Sequence, residues 1–251
     1  MQTFDTARPD NRLLAALPNE EWDLLASHVR YVDLPYHETL CEADGVVLDV
    51  WFPTSGAISC VTVLAEGGSI ESNLVGREGA VGVSGAYGFP RSPWRLIVQM
   101  PGTAAEISTS VLNMLLPQLP VLGQSLFQHA HECQHVASQT VACNRFHPVA
   151  ERLARWLLTM LDRADGMRLV VTHEFLGQML GAHRPTVTIA LGTLSRAGII
   201  EPAHRGQVIV ISREALEDAA CECYAATAIK FRNRQGAAGG SRLPWVGQRT
   251  S

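Results

Sequence analysis

Apolar residues recur at strand-like spacing in the first half of the chain and at helix-like spacing in the second. Short β-rich runs at residues 46–52, 57–64 and 96–100 alternate with turn sequences that contain glycine. Turns that recur every ~8–12 residues are typical of antiparallel barrels and sandwiches. Residues 31–107 are therefore predicted to form an antiparallel barrel or sandwich, preceded by short helices around Pro18.

A long helix is predicted over residues 121–145, which contain no proline and a single glycine near the start. Its apolar positions form two stripes. The first follows alternating four- and three-residue steps, as in a coiled coil, and comprises Leu122, Leu126, His129, Cys133, Val136, Thr140 and Cys143. The second comprises Phe127, Ala130, Ala137 and Val141. We predict that the helix packs on its own barrel and on a second subunit, with the first stripe as the dimer seam. Packing of both stripes within one protomer is the alternative.

The segment 172–194 has the pattern of two short helices joined by a tight turn. Thr172 can cap the first helix, and Gly181 suits the left-handed turn that ends it. Gly177 leaves room for a second helix to cross closely. That helix is predicted to begin near Arg184 and to bury one face through Val187, Ala190, Leu191 and Leu194. The pattern predicts a helix-turn-helix over about residues 173–197.

The opposite face of the second helix is predicted to contact DNA. Arg184, Thr188 and Ile189 face outwards, whereas His183 and Thr186 lie at the positively polarised N-terminus. A helix presented in this way fits the major groove, with its N-terminal residues near base edges and phosphates. A helical hairpin without a DNA-binding role is the alternative.

A predicted wing and the distribution of charge also favour DNA binding. Residues 199–211 contain two short apolar runs around a turn at 201–206, which predicts a β-hairpin after the second helix. Residues 1–144 carry 6 arginines against 15 acidic residues, whereas residues 145–251 carry 14 basic against 9 acidic residues. An acidic N-terminal part and a basic C-terminal part indicate two domains, the second adapted to a polyanion. An uneven charge distribution without functional meaning is the alternative.

These residues resemble the Crp/Fnr family of bacterial transcription regulators. The resemblance covers nearly the whole chain to about Ala225. It is strongest at Leu176-Gly-Gln-Met-Leu-Gly181 and at Arg184-Pro-Thr-Val187 with Leu191. The barrel resembles the family's sensor domain at Phe52-Pro53 with Gly56, at Gly67-Gly68 and at Val75-Gly-Arg-Glu-Gly-Ala-Val-Gly82.

The resemblance implies an α+β fold with a fixed order of parts. A jelly-roll-like antiparallel β-roll, the sensor, is expected at 1–120, a dimerisation helix at 121–146 and a winged helix-turn-helix at 147–228. Phe146-His147-Pro148 is expected to form a hinge between the helix and the DNA-binding domain. The remaining residues, 229–251, are rich in glycine, arginine and serine and are expected to be disordered.

The resemblance also implies a homodimer on near-palindromic double-stranded DNA, controlled by an effector and in contact with RNA polymerase. Arg184 matches the family's base-reading arginine, which suits a bidentate contact to guanine. Pro185 replaces a carboxylate of many members, and Ile189 replaces a second arginine of the cyclic-AMP-responsive ones. The operator is therefore expected to differ from theirs. The DNA-binding residues implied are His173, His183, Arg184, Pro185, Thr186, Thr188, Ile189 and, in the wing, Arg205.

The effector site departs from the cyclic-nucleotide-binding members. Those members place a Gly-Glu-Leu turn before an Arg-Ser pair, and the arginine pairs with the cyclic phosphate. The corresponding stretch here is Gly82-Val83-Ser84, which has no carboxylate. A cyclic nucleotide is therefore disfavoured, and the effector stays unknown. The residues assigned to the site are Gly76, Gly79, Gly82, Ser84, Arg91, Ser92 and Arg95.

A metal, haem or redox sensor on the same scaffold is the alternative function. The family's iron–sulfur members use an N-terminal cysteine cluster, whereas the first cysteine here is the isolated Cys41. His129 with Cys133, and His131 with His135, form two i, i+4 pairs that could hold a metal or haem. Polar residues that flank a helical seam would give the same pattern, and no metal ligand is assigned.

The six cysteines show no disulfide framework, and we expect them to be buried or free thiols. Cys221-Glu-Cys223 is a close pair, but on a helix the two side chains point apart. The pair is therefore not expected to bind a metal.

Motifs that would indicate an enzyme are not found in the sequence. It contains no Gly-x-Ser-x-Gly, no phosphate-binding Gly-x4-Gly-Lys and no recognisable carboxylate pair. The first thirty residues lack the apolar run of a signal peptide, and the uncharged stretch at 107–131 is too polar to span a membrane. We expect a cytoplasmic protein that is not an enzyme and does not contact membranes.

Overall fold

Antiparallel strands joined by tight turns build the first half of the chain, as the sequence predicts. The computed structural model describes residues 8–164, 166–202 and 206–232. The strands of this half are β1 (Arg30–Leu34), β2 (Thr39–Cys41), β3 (Asp49–Pro53), β4 (Ala57–Val63), β5 (Ser69–Val75), β6 (Arg95–Met100) and β7 (Gly102–Ser108). One sheet has the order β1-β7-β3 and the other the order β2-β6-β4-β5, and all neighbours are antiparallel.

Apolar side chains from both sheets fill the space between them. Trp51 on β3 lies in the same buried cluster as Ile58 on β4 and Val98 on β6. Successive side chains of a strand point to opposite faces, so Trp51 lies in this cluster, whereas its neighbours Val50 and Phe52 lie in another cluster. The roll therefore has its own hydrophobic core.

Short helices cover one end of the roll. They are α1 (Arg12–Ala15), α2 (Asn19–Ala26), α3 (Val83–Ala86) and α4 (Thr109–Leu115), and a 3-10 turn at Leu116–Gln118 follows α4. The side chain of Asn11 caps α1 by accepting a hydrogen bond of 3.1 Å from the backbone N–H of Leu13. Leucines of these helices form a second buried cluster with β3 and β7.

One long helix, α5 (Pro120–Phe146), confirms the helix predicted over 121–145. Pro120 lies in its first turn, where a missing N–H costs no hydrogen bond. The Glu21 carboxylate accepts hydrogen bonds from the backbone N–H groups of Val121 (2.8 Å) and Leu122 (3.0 Å). A negative charge thus meets the positive end of the helix dipole.

The stripe of α5 that we predicted to be the dimer seam faces the chain's own fold. Leu122 and Leu126 are fully buried in the cluster beneath the short helices. The buried His129 ring contacts the backbone of Ala80 in the roll. The remaining seam positions, Cys133, Val136 and Thr140, are half-buried or buried. A side chain buried within one protomer is not available to a partner, so the burial of four of these positions argues against this stripe as the dimer seam.

The second stripe is the exposed one. Phe127 is 76% exposed and Val141 is 71% exposed. Ala130 and Gln134 between them are also exposed, and Ala137 is half-buried. Their steps of three, four, three and four residues follow a coiled-coil seam. The helix therefore presents two apolar faces, one buried within the protomer and one exposed.

Helices and a small sheet form the C-terminal part. Its elements are α6 (Val149–Leu161), β8 (Arg168–Val170), α7 (His173–Leu180), α8 (Arg184–Arg196), β9 (Gln207–Ile209), α9 (Arg213–Ala219) and α10 (Cys223–Arg232). The apolar face of α6 packs against α8 and α9 in a shared core. We refer to residues 149–232 as the head. Together with the roll, the head confirms the α+β fold.

The predicted wing is present in part. Strand β9 lies within the predicted strand at 207–211, and Ile200 bridges Val210. The partner of β9 along its length is β8, where Leu169 lies opposite Val208. This strand precedes the helix-turn-helix and was not predicted, because three residues give little periodic signal.

The predicted tail falls largely on residues that the structure does not describe. Of the predicted tail at 229–251, residues 229–232 belong to α10, and the rest lie outside the described residues. Among the described residues, none of the helices combines the length and the apolar character that a membrane span requires.

Candidate nucleic-acid interface

Helix α7 begins and ends where the sequence predicts. The Thr172 hydroxyl caps it by accepting a hydrogen bond of 3.2 Å from the backbone N–H of Phe175. The helix ends at Gly181, which has a φ of 56°. This left-handed conformation favours glycine, and a Cβ at Gly181 would also lie 2.7 Å from the side chain of Ile70 on β5. The turn between the two helices thus depends on a glycine.

Gly177 allows a close approach, but to the turn rather than to the second helix itself. A Cβ at this position would lie 2.8 Å from the carbonyl oxygen of Ala182. The backbone N–H of Ala182 donates to the Gly177 carbonyl at 2.9 Å, which closes the turn. Gly177 and Gly181 together fix the angle at which α8 leaves α7.

Helix α8 buries one face and exposes the other. Val187, Ala190, Leu191 and Leu194 are buried in the head, as predicted. The first turn and the outward face are exposed at His183, Arg184, Pro185, Thr186, Thr188 and Ile189. Ile189 is 67% exposed, which is high for an isoleucine on a packed helix. The helix therefore offers an accessible face whose chemistry is both apolar and cationic.

Two of the predicted contact residues connect α7 to α8. The Thr188 hydroxyl donates to the Arg184 carbonyl at 3.1 Å and lies 3.0 Å from Nδ1 of His173. With its own proton used in this way, the hydroxyl accepts a hydrogen bond from the Nδ1–H of His173. These side chains hold the start of α7 against the outward face of α8.

The start of α8 is electropositive. The unpaired N–H groups of a helix N-terminus are equivalent to about half a positive charge. Arg184 adds a full charge there, and the first turn of α8 contains no acidic residue. Such a terminus is suited to a phosphate or another anion.

The wing and α8 enclose a groove. Its walls include Arg196 near the end of α8 and Gln207 at the start of β9. Arg205, which we predicted to contact DNA from the wing, lies outside the described residues.

Buried polar contacts join the roll to the head. Nε1 of Trp156 on α6 donates to Glu71 on β5 at 2.9 Å. Arg163 forms an ion pair of 2.6 Å with Glu78, and both side chains are buried. At the surface, the Tyr36 hydroxyl also donates to the Val170 carbonyl at 3.1 Å. The position of the helix-turn-helix relative to the roll is therefore set by specific side chains.

The two buried glutamates of this contact respond differently to their surroundings. Burial raises the pKa of Glu71 to about 7, although hydrogen bonds from Ser59 and Trp156 oppose the shift. Burial also acts to raise the pKa of Glu78, but Arg163 and the N–H of Gly76 outweigh it, so the net shift is downward. Glu71 thus changes charge near neutral pH, whereas Glu78 remains ionised there.

The arginines assigned to the effector site are engaged at the surface. Arg91 donates to the Asp44 carbonyl at 2.5 Å, and Arg95 forms an ion pair of 2.7 Å with Glu42. The buried Ser92 donates its hydroxyl proton to the Trp94 carbonyl at 2.7 Å. In the part of the chain that the structure describes, these three residues thus make contacts within the roll, and their assignment to an effector site stays a prediction.

The other residues assigned to the effector site support contacts within the chain. A Cβ at Gly79 would lie 2.1 Å from the His129 ring, so a glycine is needed beneath α5. Gly76 donates its N–H to Glu78 at 2.9 Å. Gly82 has a φ of 79° and leads into α3, where Ser84 accepts backbone hydrogen bonds. Gly79 and Gly76 thus allow the roll to approach α5 and the end of α6, whereas Gly82 and Ser84 shape the turn into α3.

The histidines and the cysteine of the alternative sensor do not converge. Nε2 of His129 lies 3.0 Å from the Ala80 carbonyl, and Sγ of Cys133 lies 3.5 Å from the same nitrogen. His131 is exposed and His135 is half-buried. Within the described residues, these four side chains do not form a metal-binding group. The i, i+4 spacing alone does not predict a metal site, because it does not bring the two pairs to the same face of the helix.

The chain matches known regulators in sequence and in structure. A family profile described as a Crp-like helix-turn-helix domain matches residues 151–219, which extend from α6 to α9. The cAMP-activated global transcriptional regulator CRP of Pasteurella multocida is 28% identical over 203 residues, which are 77% of this chain and 94% of that protein.

Two solved structures share the fold. FixK2 from Bradyrhizobium japonicum has a TM-score of 0.65 and 17% identity, and the match covers 77% of this chain and 98% of that chain. A transcriptional regulator of the crp/fnr family from Eubacterium rectale has a TM-score of 0.68 and 14% identity, with coverages of 84% and 98%. The fold of the chain agrees with these structures. The chain thus contains a Crp-like helix-turn-helix domain at residues 151–219 and is similar to DNA-binding transcription regulators of the Crp/Fnr family.

Proposed function

We propose that the protein acts as a homodimer that reads a near-palindromic operator through α8 of each protomer. The observation that carries this proposal is the exposed N-terminal half of α8, held by α7 with its electropositive end outwards. In the major groove, Arg184 makes a bidentate contact to a guanine. Ile189 offers an apolar contact to a thymine methyl group, and His183 and Thr186 lie near the phosphates.

The exposed stripe of α5 supports the dimer. Phe127 and Val141 lie on it about four helical turns apart, with Ala130 and Ala137 between them. Pairing two copies of α5 along this stripe buries apolar side chains that one protomer leaves in water. The dimer places two copies of α8 at half-sites whose centres are about 34–36 Å apart.

We further propose that the effector acts on the contact between the roll and the head. The Pasteurella relative is named as cAMP-activated. This chain lacks the corresponding carboxylate at Gly82-Val83-Ser84, and its Arg91 and Arg95 form surface contacts. We therefore assign the effector to a class other than the cyclic nucleotides. A ligand that alters the Glu71–Trp156 contact would move the head relative to the roll.

In this proposal the protein works in the cytoplasm, contacts RNA polymerase at promoters and catalyses no reaction. Arg205 adds a phosphate contact from the wing. The proposed parts are the sensor at 1–120, the dimerisation helix at 121–146 and the DNA-binding domain at 147–228.

Selection of bound duplexes from a random pool tests the proposal. The full chain should enrich an inverted repeat with half-sites about one helical turn apart. Arg184→Ala should bind the selected duplex about 10–100-fold more weakly and lose the preference for one base in each half-site. The lost preference follows from removal of the only predicted bidentate base contact.

Arg77→Ala is the matched control, because Arg77 is an exposed arginine on the roll. It should leave both affinity and base preference unchanged. If wild-type protein enriches no sequence, the proposal is wrong. If Arg184→Ala weakens binding to every sequence equally, Arg184 contacts a phosphate rather than a base.

A further inference from the structure

Four metal-ligating side chains meet where the long helix joins the head. Cys143 lies in the last turn of α5, and His147 directly follows that helix. Cys221 lies two residues before α10, and Cys223 is the first residue of that helix. One donor atom from each residue, three sulfurs and an imidazole nitrogen, lies within 4.8 Å of all the others. Residues far apart in sequence thus converge on one point.

The convergence corrects our expectation for the Cys221-Glu-Cys223 pair. Cys221 lies in the turn before α10, and only Cys223 lies in the helix. The two side chains therefore do not follow helical spacing, and their sulfurs can face the same point. Cys143, which the sequence placed in the dimer seam, is fully buried in a cluster with both of them.

The distances between the donor atoms fit a tetrahedral zinc site. With Zn–S of about 2.3 Å and Zn–N of about 2.0–2.1 Å, two sulfur ligands lie about 3.8 Å apart, and a sulfur and a nitrogen about 3.5 Å apart. Here, Sγ of Cys143 is 3.5 Å from Sγ of Cys221. Sγ of Cys223 is 3.6 Å from Nδ1 of His147. A disulfide would need an S–S distance of about 2.05 Å and would use only two of the four groups.

Neighbouring side chains hold two of these groups in a ligating orientation. Oε2 of Glu222 lies 3.2 Å from Nε2 of His147, on the side of the ring away from the sulfurs. A carboxylate on the outer nitrogen of a histidine fixes the ring and increases its basicity as a ligand. Gln139 donates from Nε2 to Sγ of Cys223 at 3.1 Å. Both contacts are typical of the surroundings of metal ligands.

The electrostatic environment also suits a thiolate site. Arg152 and Arg155 of α6 are both buried, and Arg152 lies close enough to Cys143 and Cys221 for a charge–charge interaction. Three thiolates around a divalent ion carry one net negative charge, which buried guanidinium groups can balance.

We propose that Cys143, His147, Cys221 and Cys223 bind one zinc ion, or an equivalent borderline-soft divalent cation, in a closed tetrahedral site. Four protein ligands leave no open position, which is the arrangement of a structural rather than a catalytic ion. The thiols release their protons as the ion binds. The ion connects the end of α5 to α10 across the hinge, and so restrains the head relative to the long helix. Metal binding itself does not depend on the proposed DNA-binding function.

Metal analysis of the full chain, purified under reducing conditions, is the first test. Wild-type protein should contain about one zinc per chain. Cys221→Ser and Cys223→Ser should each lose most of it. Cys41→Ser is the matched control, because Cys41 is a buried cysteine of the roll whose thiol donates to the carbonyl oxygens of Glu42 and Val46. A serine hydroxyl can replace those contacts, and this variant should keep its zinc.

Titration of the metal-free wild-type protein is the second test and needs no variant to fold. Co²⁺ should produce the visible absorption of a tetrahedral thiolate site, and Zn²⁺ should displace it. Zn²⁺ should also raise the Tm of the protein by at least about 5 °C, because it binds the folded state. Glu222→Gln should weaken metal binding by about 10–100-fold without abolishing it.

Three results would overturn the proposal. In the first, folded and reduced wild-type protein binds neither Zn²⁺ nor Co²⁺ stoichiometrically. In the second, Cys41→Ser and Cys223→Ser lose equal amounts of zinc. In the third, Cys143 and Cys221 form a disulfide in protein kept under reducing conditions. Binding of the selected DNA duplex is measured separately, so failure of the metal site is distinguishable from failure of the regulator function.

Discussion

A protein with Phe127 replaced by aspartate should be monomeric and should bind the selected operator about 10²–10⁴-fold more weakly than wild type. Phe127 is 76% exposed on the outer stripe of α5, so the substitution creates no cavity in the protomer. In a dimer, the stripes of two helices face each other, and two carboxylates would be buried close together without a counter-charge. Loss of the dimer removes the gain from binding two half-sites at once. Sedimentation equilibrium and an anisotropy titration with the selected duplex measure the two effects.

Phe89→Asp provides the control for this variant. Phe89 is 69% exposed on the loop after α3, so the change in charge and in exposed apolar surface is similar. This variant should remain dimeric with unchanged affinity. A Phe127→Asp protein that is still dimeric would show that the exposed stripe of α5 is not the subunit interface.

Glu78→Gln should lower the free energy of unfolding by about 3–5 kcal/mol. Oε1 of Glu78 accepts hydrogen bonds from Nη2 (2.6 Å) and Nε (2.9 Å) of Arg163, and both side chains are buried. Glutamine has nearly the same shape but removes the charge that compensates the buried guanidinium. Urea unfolding at neutral pH measures the difference.

The pH dependence provides a second measurement of the same ion pair. The pKa of Glu78 is lowered in the folded state, against burial, chiefly by Arg163. Its contribution to stability is therefore fully present above the ordinary value of 4.5 and is lost as the pH falls through the lower folded-state pKa. The difference between wild type and Glu78→Gln should shrink over that acidic range.

Glu66→Gln is the control, since Glu66 is exposed in the turn between β4 and β5. Its effect on stability should stay within about 0.5 kcal/mol. If Glu78→Gln costs no more than this control, the ion pair does not hold the roll and the head together.

The helix-turn-helix could be predicted closely from sequence because its determinants are local. Thr172 caps α7 and Gly181 adopts a left-handed φ of 56°, so each boundary depends on one residue and its neighbours. The apolar spacing from Val187 to Leu194 likewise fixes which face of α8 is buried. The resemblance to known regulators rests on these same residues.

Which of the two apolar stripes of α5 is exposed could not be predicted in the same way. Both stripes of α5 have spacing that suits a packed helix, and the one richer in leucine is the one that the roll covers. Which stripe stays exposed depends on contacts such as the one between His129 and Gly79, which are 50 residues apart in sequence. Periodicity reports that a face is buried, but not what buries it.

The convergence of Cys143, His147, Cys221 and Cys223 and the surface positions of Arg91 and Arg95 also result from tertiary structure. Cys143 and Cys221 are 78 residues apart and meet only because α10 packs on α5. Arg91 and Arg95 lie near the glycine-rich stretch in sequence, but Asp44 and Glu42 attract them to the surface. The spacing of these residues along the chain predicts neither the meeting of the cysteines nor the surface position of the arginines.

Photocrosslinking from α8 to the selected duplex tests the central claim most directly. A photoreactive phenylalanine derivative in place of Ile189, which is 67% exposed, should crosslink to bases in the major groove of both half-sites. The same derivative in place of Leu48, which is 66% exposed on the roll, should give no crosslink. If position 189 gives no crosslink to DNA that the protein binds specifically, α8 is not the element that reads the operator.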